Sequence, residues 1–269
     1  MFATWRLVFP VVLTMGFALP LIDRLVFFPE RWMPPTPVGV EERTITAEDG
    51  VKIHGWYVAA KGGGPAPTVL WAHGNGGNIG GRFEIQAALA QQGLNVLAYD
   101  YRGYGKSEGS PSESGVYLDS RAAFDSLVAS GVPASRIVCL GESLGGAVTI
   151  ELATERNCAG VAVVATFTTI AEVARAHYGP LGALASGVFD SASRVGALKV
   201  PFLLAHGNRD DIVPYELGVA LYEAAPEPKE FLRVEGASHN DIFLHRELLH
   251  AIAAFSKRST TPPADGEVH

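Results

Sequence analysis

Ile137-Val138-Cys139-Leu140-Gly141-Glu142-Ser143-Leu144-Gly145-Gly146 is the stretch that decides the fold. A short apolar run over residues 136–140 gives way to Gly-x-Ser-x-Gly, and helical spacing follows over residues 144–156. A strand that turns this sharply into a helix leaves no room for side chains two positions before and two after the serine. Gly141 and Gly145 stand at those positions. The turn holds its serine in a strained backbone conformation with the hydroxyl above the sheet. It also sits at a helix N-terminus, which favours developing negative charge. Ser143 is therefore the candidate nucleophile.

On both sides of this turn, strands and helices alternate. Strands are expected at 68–72, 95–99, 136–140, 161–166, 201–205 and 231–234, with helices at 82–92, 117–130, 144–156, 216–225 and 241–255. Several of the strands are continuous apolar runs, as a parallel sheet covered on both faces requires. Residues 43–47 and 51–58 flank Asp49-Gly50, a strong hairpin signal. The pattern predicts an α/β, doubly wound, mostly parallel sheet of eight strands opened by an antiparallel hairpin. Residues 169–198, broken by Gly179-Pro180, read as a small lid inserted between two strands.

A serine hydroxyl is a weak nucleophile until a base takes its proton. The chain has eight histidines, and the working residues of such a sheet belong in loops after the strands. His239, in Gly236-Ala-Ser-His-Asn240, lies between the last strand and the last helix. His54 falls in the hairpin, His177 in the insertion, and His245, His250 and His269 in the terminal helix or tail. The base needs an orienting carboxylate. His206-Gly-Asn-Arg-Asp210-Asp211-Ile-Val-Pro214 follows the penultimate strand, and chain order alone does not separate Asp210 from Asp211. Acyl transfer also needs oxyanion donors. The backbone N–H of Leu144 is one candidate and that of Asn75, in His73-Gly-Asn-Gly-Gly-Asn78, is the other. The glycines there let the backbone approach a substrate closely. With no G-x-G-x-x-G spacing and no following Lys, that loop does not read as a nucleotide site. His73 reads as a prop for it.

These residues carry a resemblance. The Ser143 turn, the 73–78 loop and Asp100-Tyr-Arg-Gly-Tyr-Gly-Lys-Ser-Glu-Gly109 look like the α/β-hydrolase superfamily. More narrowly, the chain is similar to the Bem46-like branch, related to the α/β-hydrolase domain-containing serine hydrolases 13 and 17. The likeness starts near Phe27-Phe-Pro-Glu-Arg31 and runs to the terminal helix. It implies Asp210 as the catalytic acid, through a His-Gly-x-x-Asp-x-x-Val-Pro pattern, and His239 as the base. It also implies hydrolysis of carboxylic esters or thioesters through an acyl-enzyme on Ser143, with no metal and no organic cofactor. Serine aminopeptidase-like sequences are grouped with the same branch, so a peptidase is the alternative activity. A non-catalytic binding protein on the same fold is the alternative from another class.

Composition bounds the rest. The 269 residues are 48% hydrophobic and 18% charged, against about 25% charged in an ordinary soluble domain. That excludes disorder, and a net charge of −7 argues against a nucleic-acid partner. Residues 7–22 carry no charge. Extended back to Phe2 they reach about 31 Å as a helix, enough for a single membrane span. A signal peptide cleaved after Ala18 is the alternative. The expected organisation is an N-terminal membrane anchor over 1–28 and a Pro-rich linker over 29–40. A monomeric hydrolase domain follows over 41–258, then a disordered tail over 259–269. Counting helix rise separates the two cysteines, Cys139 and Cys158, by about 20 Å, too far to pair.

Overall fold

A computed structural model describes residues 26–62 and 65–261 of the chain. Two short strands, β1 (Phe28–Pro29) and, later in the chain, β5 (Gly76–Gly77), pair with each other alone. The other strands build one sheet. They are β2 (Val40–Thr46), β3 (Lys52–Val58), β4 (Thr68–Ala72), β6 (Asn95–Tyr99), β7 (Ile137–Glu142), β8 (Gly160–Val164), β9 (Phe202–Gly207) and β10 (Lys229–Val234). Their spatial order is β10-β9-β8-β7-β4-β6-β3-β2. Only β3 runs against its neighbours, β2 and β6; the remaining pairs are parallel. The eight-stranded, mostly parallel sheet with its antiparallel hairpin is thus the expected one.

The helices are α1 (Phe83–Gln91), α2 (Glu113–Ala129), α3 (Leu144–Glu155), α4 (Ile170–Tyr178), α5 (Ala192–Val195), α6 (Tyr215–Ala224) and α7 (Arg246–Ser259). Every residue of β4, β8 and β9 is buried, because the two-residue side-chain period sends alternate positions into two separate cores. Leu70, Cys139, Val161, Val163 and Leu204 join Phe124, Val148 and Leu221 on one face. Val69, Trp71, Leu140, Ala162 and Leu203 join Leu89, Ile252 and Phe255 on the other. At about 1.5–3 kcal/mol per large apolar side chain, these two layers are what holds the sheet. α2 begins at Glu113 rather than near residue 117, because Ser112 Oγ accepts the Gly115 N–H at 3.2 Å and caps the helix there. The lid consists of α4, a 3₁₀ turn over Gly179–Ala185, and α5, inserted between β8 and β9.

The expected single-pass localisation over residues 1–28 is corrected by the fold. Among the described residues, no helix is long and apolar enough to cross a membrane. Val26 and Phe27, counted above as part of an anchor, are buried in the core, with the Phe27 ring edge-on to Phe189 at 5.9 Å. Phe28 lies in β1. The apolar character of Val26 and Phe27 therefore belongs to the globular domain. The run 7–22 and the cleavage position at Ala18 lie outside the described residues.

Residues 29–40 do not hang free either. The Arg31 guanidinium donates to the carbonyls of Ser107 and Gly109, at 2.8 and 3.3 Å. Met33 packs against the second core. At the other end, Ser259 of the expected tail closes α7, and Thr260 is buried with its hydroxyl donating back to the Ser256 carbonyl at 2.8 Å; residues 262–269 lie outside the described residues.

Both cysteines are free, as expected, and buried. They nevertheless lie nearer each other than helix rise suggests, and Cys158 Sγ donates to the Gly160 carbonyl at 3.5 Å. The helix-rise argument missed that α3 runs back along the sheet. It returns the chain to the start of β8, beside β7, where Gly160 pairs with Val138 and Val161 with Cys139.

Candidate active site

The turn from β7 into α3 is as tight as its glycines imply. A Cβ on Gly145 would lie 2.1 Å from the Ala72 carbonyl oxygen, and one on Gly141 would lie 2.4 Å from the Gly145 carbonyl oxygen. Between them Ser143 has φ 52° and ψ −116°, a left-handed conformation that costs a non-glycine residue about 1–3 kcal/mol. Its surroundings hold it there. The Ser143 N–H donates to the Val164 carbonyl at 2.9 Å, and its own carbonyl accepts from Thr166 Oγ1 at 2.9 Å.

The structure brings Ser143, His239 and Asp210 together from the ends of β7, β10 and β9. His239 Nε2 lies 3.1 Å from Ser143 Oγ, and His239 Nδ1 lies 2.7 Å from Asp210 Oδ2. Asp210, rather than Asp211, faces the histidine. Its side chain is fully buried, whereas Asp211 is exposed. The Oδ1 atom of Asp210 accepts the backbone N–H groups of Ile212 and Val213, at 2.9 and 2.7 Å. Burial alone would raise the pKa of this carboxyl. The donors from His206 and His239 outweigh it and hold the group well below the ordinary carboxylate range. The group is therefore an anion beneath the imidazole at neutral pH.

Asn75 and Leu144 both line the cavity above Ser143. Among the described residues, neither backbone N–H has an acceptor, which leaves both free to meet a developing oxyanion. His73 is buried beneath the 73–78 loop. Its ring packs on Tyr101 at 4.5 Å and its Nδ1 lies 2.6 Å from the Gly74 carbonyl oxygen. That is the propping position expected for it. Three further histidines do not meet Ser143 or Asp210. His54 neighbours Glu42 and Asp100, His177 contacts the Ile212 carbonyl, and His245 neighbours Asp241.

The cavity holds about 450 Å³. Phe167, Ile170, Val173, Ile212 and Val213 make an apolar wall on the lid side. Opposite them stand Arg82 and Glu142, joined bidentately at 2.8 and 2.9 Å. Burial opposes the Glu142 charge, but the Arg82 guanidinium overrides it and keeps the carboxyl below its usual range.

Three contributors were not foreseen. His206, four residues before Asp210, has its Nε2 shared between the Val213 carbonyl at 3.0 Å and Asp210 Oδ2 at 3.2 Å. Arg82 opens a helix far from the serine in sequence, and only its pairing with Glu142 gives it a place in the site. Phe28 reaches the site through its backbone N–H, which donates to Asn75 Oδ1 at 3.1 Å. For His206 a signal existed, its place at a strand end four residues before the candidate acid; for the other two there was none.

Comparison with known proteins bears on the family and the fold. The family described as serine aminopeptidase, S33, matches residues 63–193. An uncharacterized protein of Mycobacterium tuberculosis, Rv2307c, is 40% identical over 241 residues, covering 86% of each chain. The α/β-hydrolase domain-containing protein 17C of Xenopus tropicalis is 34% identical over 194 residues, covering 70% of this chain and 61% of that one. Among solved structures, the Pyrococcus furiosus esterase Pf2001 superposes with a TM-score of 0.72 at 24% identity, over 87% of this chain and 98% of that one.

Proposed function

The chain belongs to the α/β-hydrolase superfamily, and on that footing we propose that it is a serine hydrolase of carboxylic esters or thioesters. The observation that carries the reading is the unbroken hydrogen-bond chain from Ser143 Oγ through His239 to Asp210, set beneath a cavity with one apolar wall. Ser143 Oγ attacks the acyl carbon as His239 Nε2 takes its proton. Asp210 holds the other ring nitrogen and stabilises the imidazolium. The amides of Asn75 and Leu144 receive the oxyanion, a role in which each donor is worth about 10²–10³ in rate. His239 then protonates the leaving alcohol or thiol, and water activated by the same ring releases the acid. The apolar wall fits the acyl chain.

A fluorophosphonate probe tests the assignment. The wild-type protein should be labelled on Ser143, and Ser143→Ala should not; equal labelling of both sinks the nucleophile assignment. A series of p-nitrophenyl esters and acyl thioesters of graded chain length then reads the acyl preference.

The serine aminopeptidase match favours a second reading, a peptidase. A substrate α-ammonium would need a carboxylate facing the cavity. Glu142 is the lining carboxylate among the described residues, and Arg82 already occupies both of its oxygens. Aminoacyl p-nitroanilides, run beside the esters, separate the two activities.

A further inference from the structure

The loop 73–78 carries three glycines in six residues, so its backbone alone restrains the Asn75 amide weakly. Yet an oxyanion donor acts only when held in place before the reaction. The restraint comes from outside the sheet, from residues 28–33. β1 lies parallel to β5, with Phe28 opposite Gly76 and Pro29 opposite Gly77. The Phe28 N–H donates to Asn75 Oδ1 at 3.1 Å. From the other side, the Tyr104 hydroxyl donates to the Asn75 carbonyl at 2.8 Å.

At the far end of the loop, the Asn78 side-chain amide donates to the Glu30 and Trp32 carbonyls, at 3.0 and 2.7 Å. The Glu30 carbonyl also accepts the Gly105 N–H at 2.9 Å. The segment thus ties the loop to the turn that bears Tyr104. Its own position is fixed by the buried Phe27 ring on one side and the Arg31 contacts on the other.

We infer that residues 28–33 form a strap that aims the Asn75 amide, with the Phe28 N–H and the Asn78 side chain as the positioning groups. The inference rests on the proposed hydrolase reading. It adds to the site a segment lying outside the residues matched by the family comparison. The strap touches no substrate. It removes the freedom of a glycine-rich loop before the transition state forms, so its loss should appear in kcat rather than in KM.

The test uses the full chain and an acyl ester that the wild type turns over. Phe28→Pro removes the amide hydrogen while leaving an extended backbone, and the Phe28 side chain is already exposed. Asn75→Ala keeps the oxyanion amide but removes its side-chain anchor. Asn78→Ala releases the other end of the strap. Each single variant should lower kcat by about 10- to 100-fold, a fraction of what a whole donor supplies, with KM within about twofold and the melting temperature close to wild type. Phe28→Pro combined with Asn75→Ala should be no slower than Asn75→Ala alone, since both cut one bond. Wild-type kcat in Phe28→Pro and Asn78→Ala overturns the inference, as does a loss that is additive in the double variant or that follows melting temperature. A wild type that turns over no ester and takes no fluorophosphonate overturns the proposed function, and the inference with it.

Discussion

His206 Nε2 lies 3.2 Å from Asp210 Oδ2, on a side chain with no exposed surface. A Cβ on Gly218 of α6 would lie 2.2 Å from His206 Nδ1, so that nitrogen faces a helix backbone and has no room for a solvating partner. The ring's polar contacts are therefore made by Nε2, which faces Asp210 and the Val213 carbonyl. Two imidazoles thus meet Asp210 at the same oxygen, Oδ2.

His206→Leu removes one grip. A hydrogen bond to a charged acceptor contributes about 1.5–3 kcal/mol, and the shared geometry here places the expected loss at the lower end. kcat should fall about tenfold. His206→Gln, which can still present an N–H, should recover part of it. Steady-state kinetics on both variants decide the matter; equal activity in His206→Leu and wild type would assign the ring a packing role only.

The Asp210 carboxylate also links folding to pH. It is held ionised more strongly in the folded chain than in the unfolded one. The stability it adds is complete above the unfolded value of about 3.9 and fades as pH falls through the much lower folded value. Asp210→Asn should cost about 2–4 kcal/mol at pH 7, where four donors lose an anion. The gap to wild type should narrow below about pH 4. Chemical denaturation at pH 7, 4 and 3 measures it, and a gap independent of pH would show that the carboxylate charge is not the stabilising element.

Arg82 and Glu142 stabilise each other beside the nucleophile. Removing one partner leaves a desolvated charge, so Arg82→Leu should destabilise by about 3 kcal/mol. Glu142→Gln should cost less, since the amide can still accept from the guanidinium. In Arg82→Leu/Glu142→Leu the loss should be smaller than in Arg82→Leu alone. Urea unfolding of the three variants checks the order; a double variant worse than the sum of the singles would contradict it.

Val173, on the lid helix α4, faces the catalytic cavity. Val173→Phe adds bulk to the apolar wall and should shift the ester chain-length profile towards shorter acyl groups. The ratio of kcat/KM for octanoate over acetate should fall about tenfold, within the discrimination that a few methylenes provide. An unchanged ratio would mean that the acyl chain lies along another wall.

The sheet and the serine turn were legible because their determinants are local. β4 and β6 need only short apolar runs ended by turn residues, and Gly141 and Gly145 answer a steric demand within five residues. The Asp210 choice was not legible from spacing. Adjacent aspartates point opposite ways, and only the Val213 and Ile212 amides, brought round by the following turn, show which one turns inward. What escaped altogether is long-range and carried by backbone. The Pro-rich stretch 29–40 has the composition of a linker, yet its carbonyls are taken by Asn78 and Gly105. No hydropathy pattern records a carbonyl's partner. The cysteine contact was missed for a related reason: helix rise measures distance along the chain, while the sheet folds the chain back on itself.

The strap has a bearing on descent. Every strand of the large sheet lies from Val40 onward, so inheritance of those strands and their helices alone would not carry the contacts that Phe28, Glu30 and Trp32 make with Asn75 and Asn78. On the proposed reading, the sheet and the dozen residues before it descend together or the Asn75 loop loses its tether.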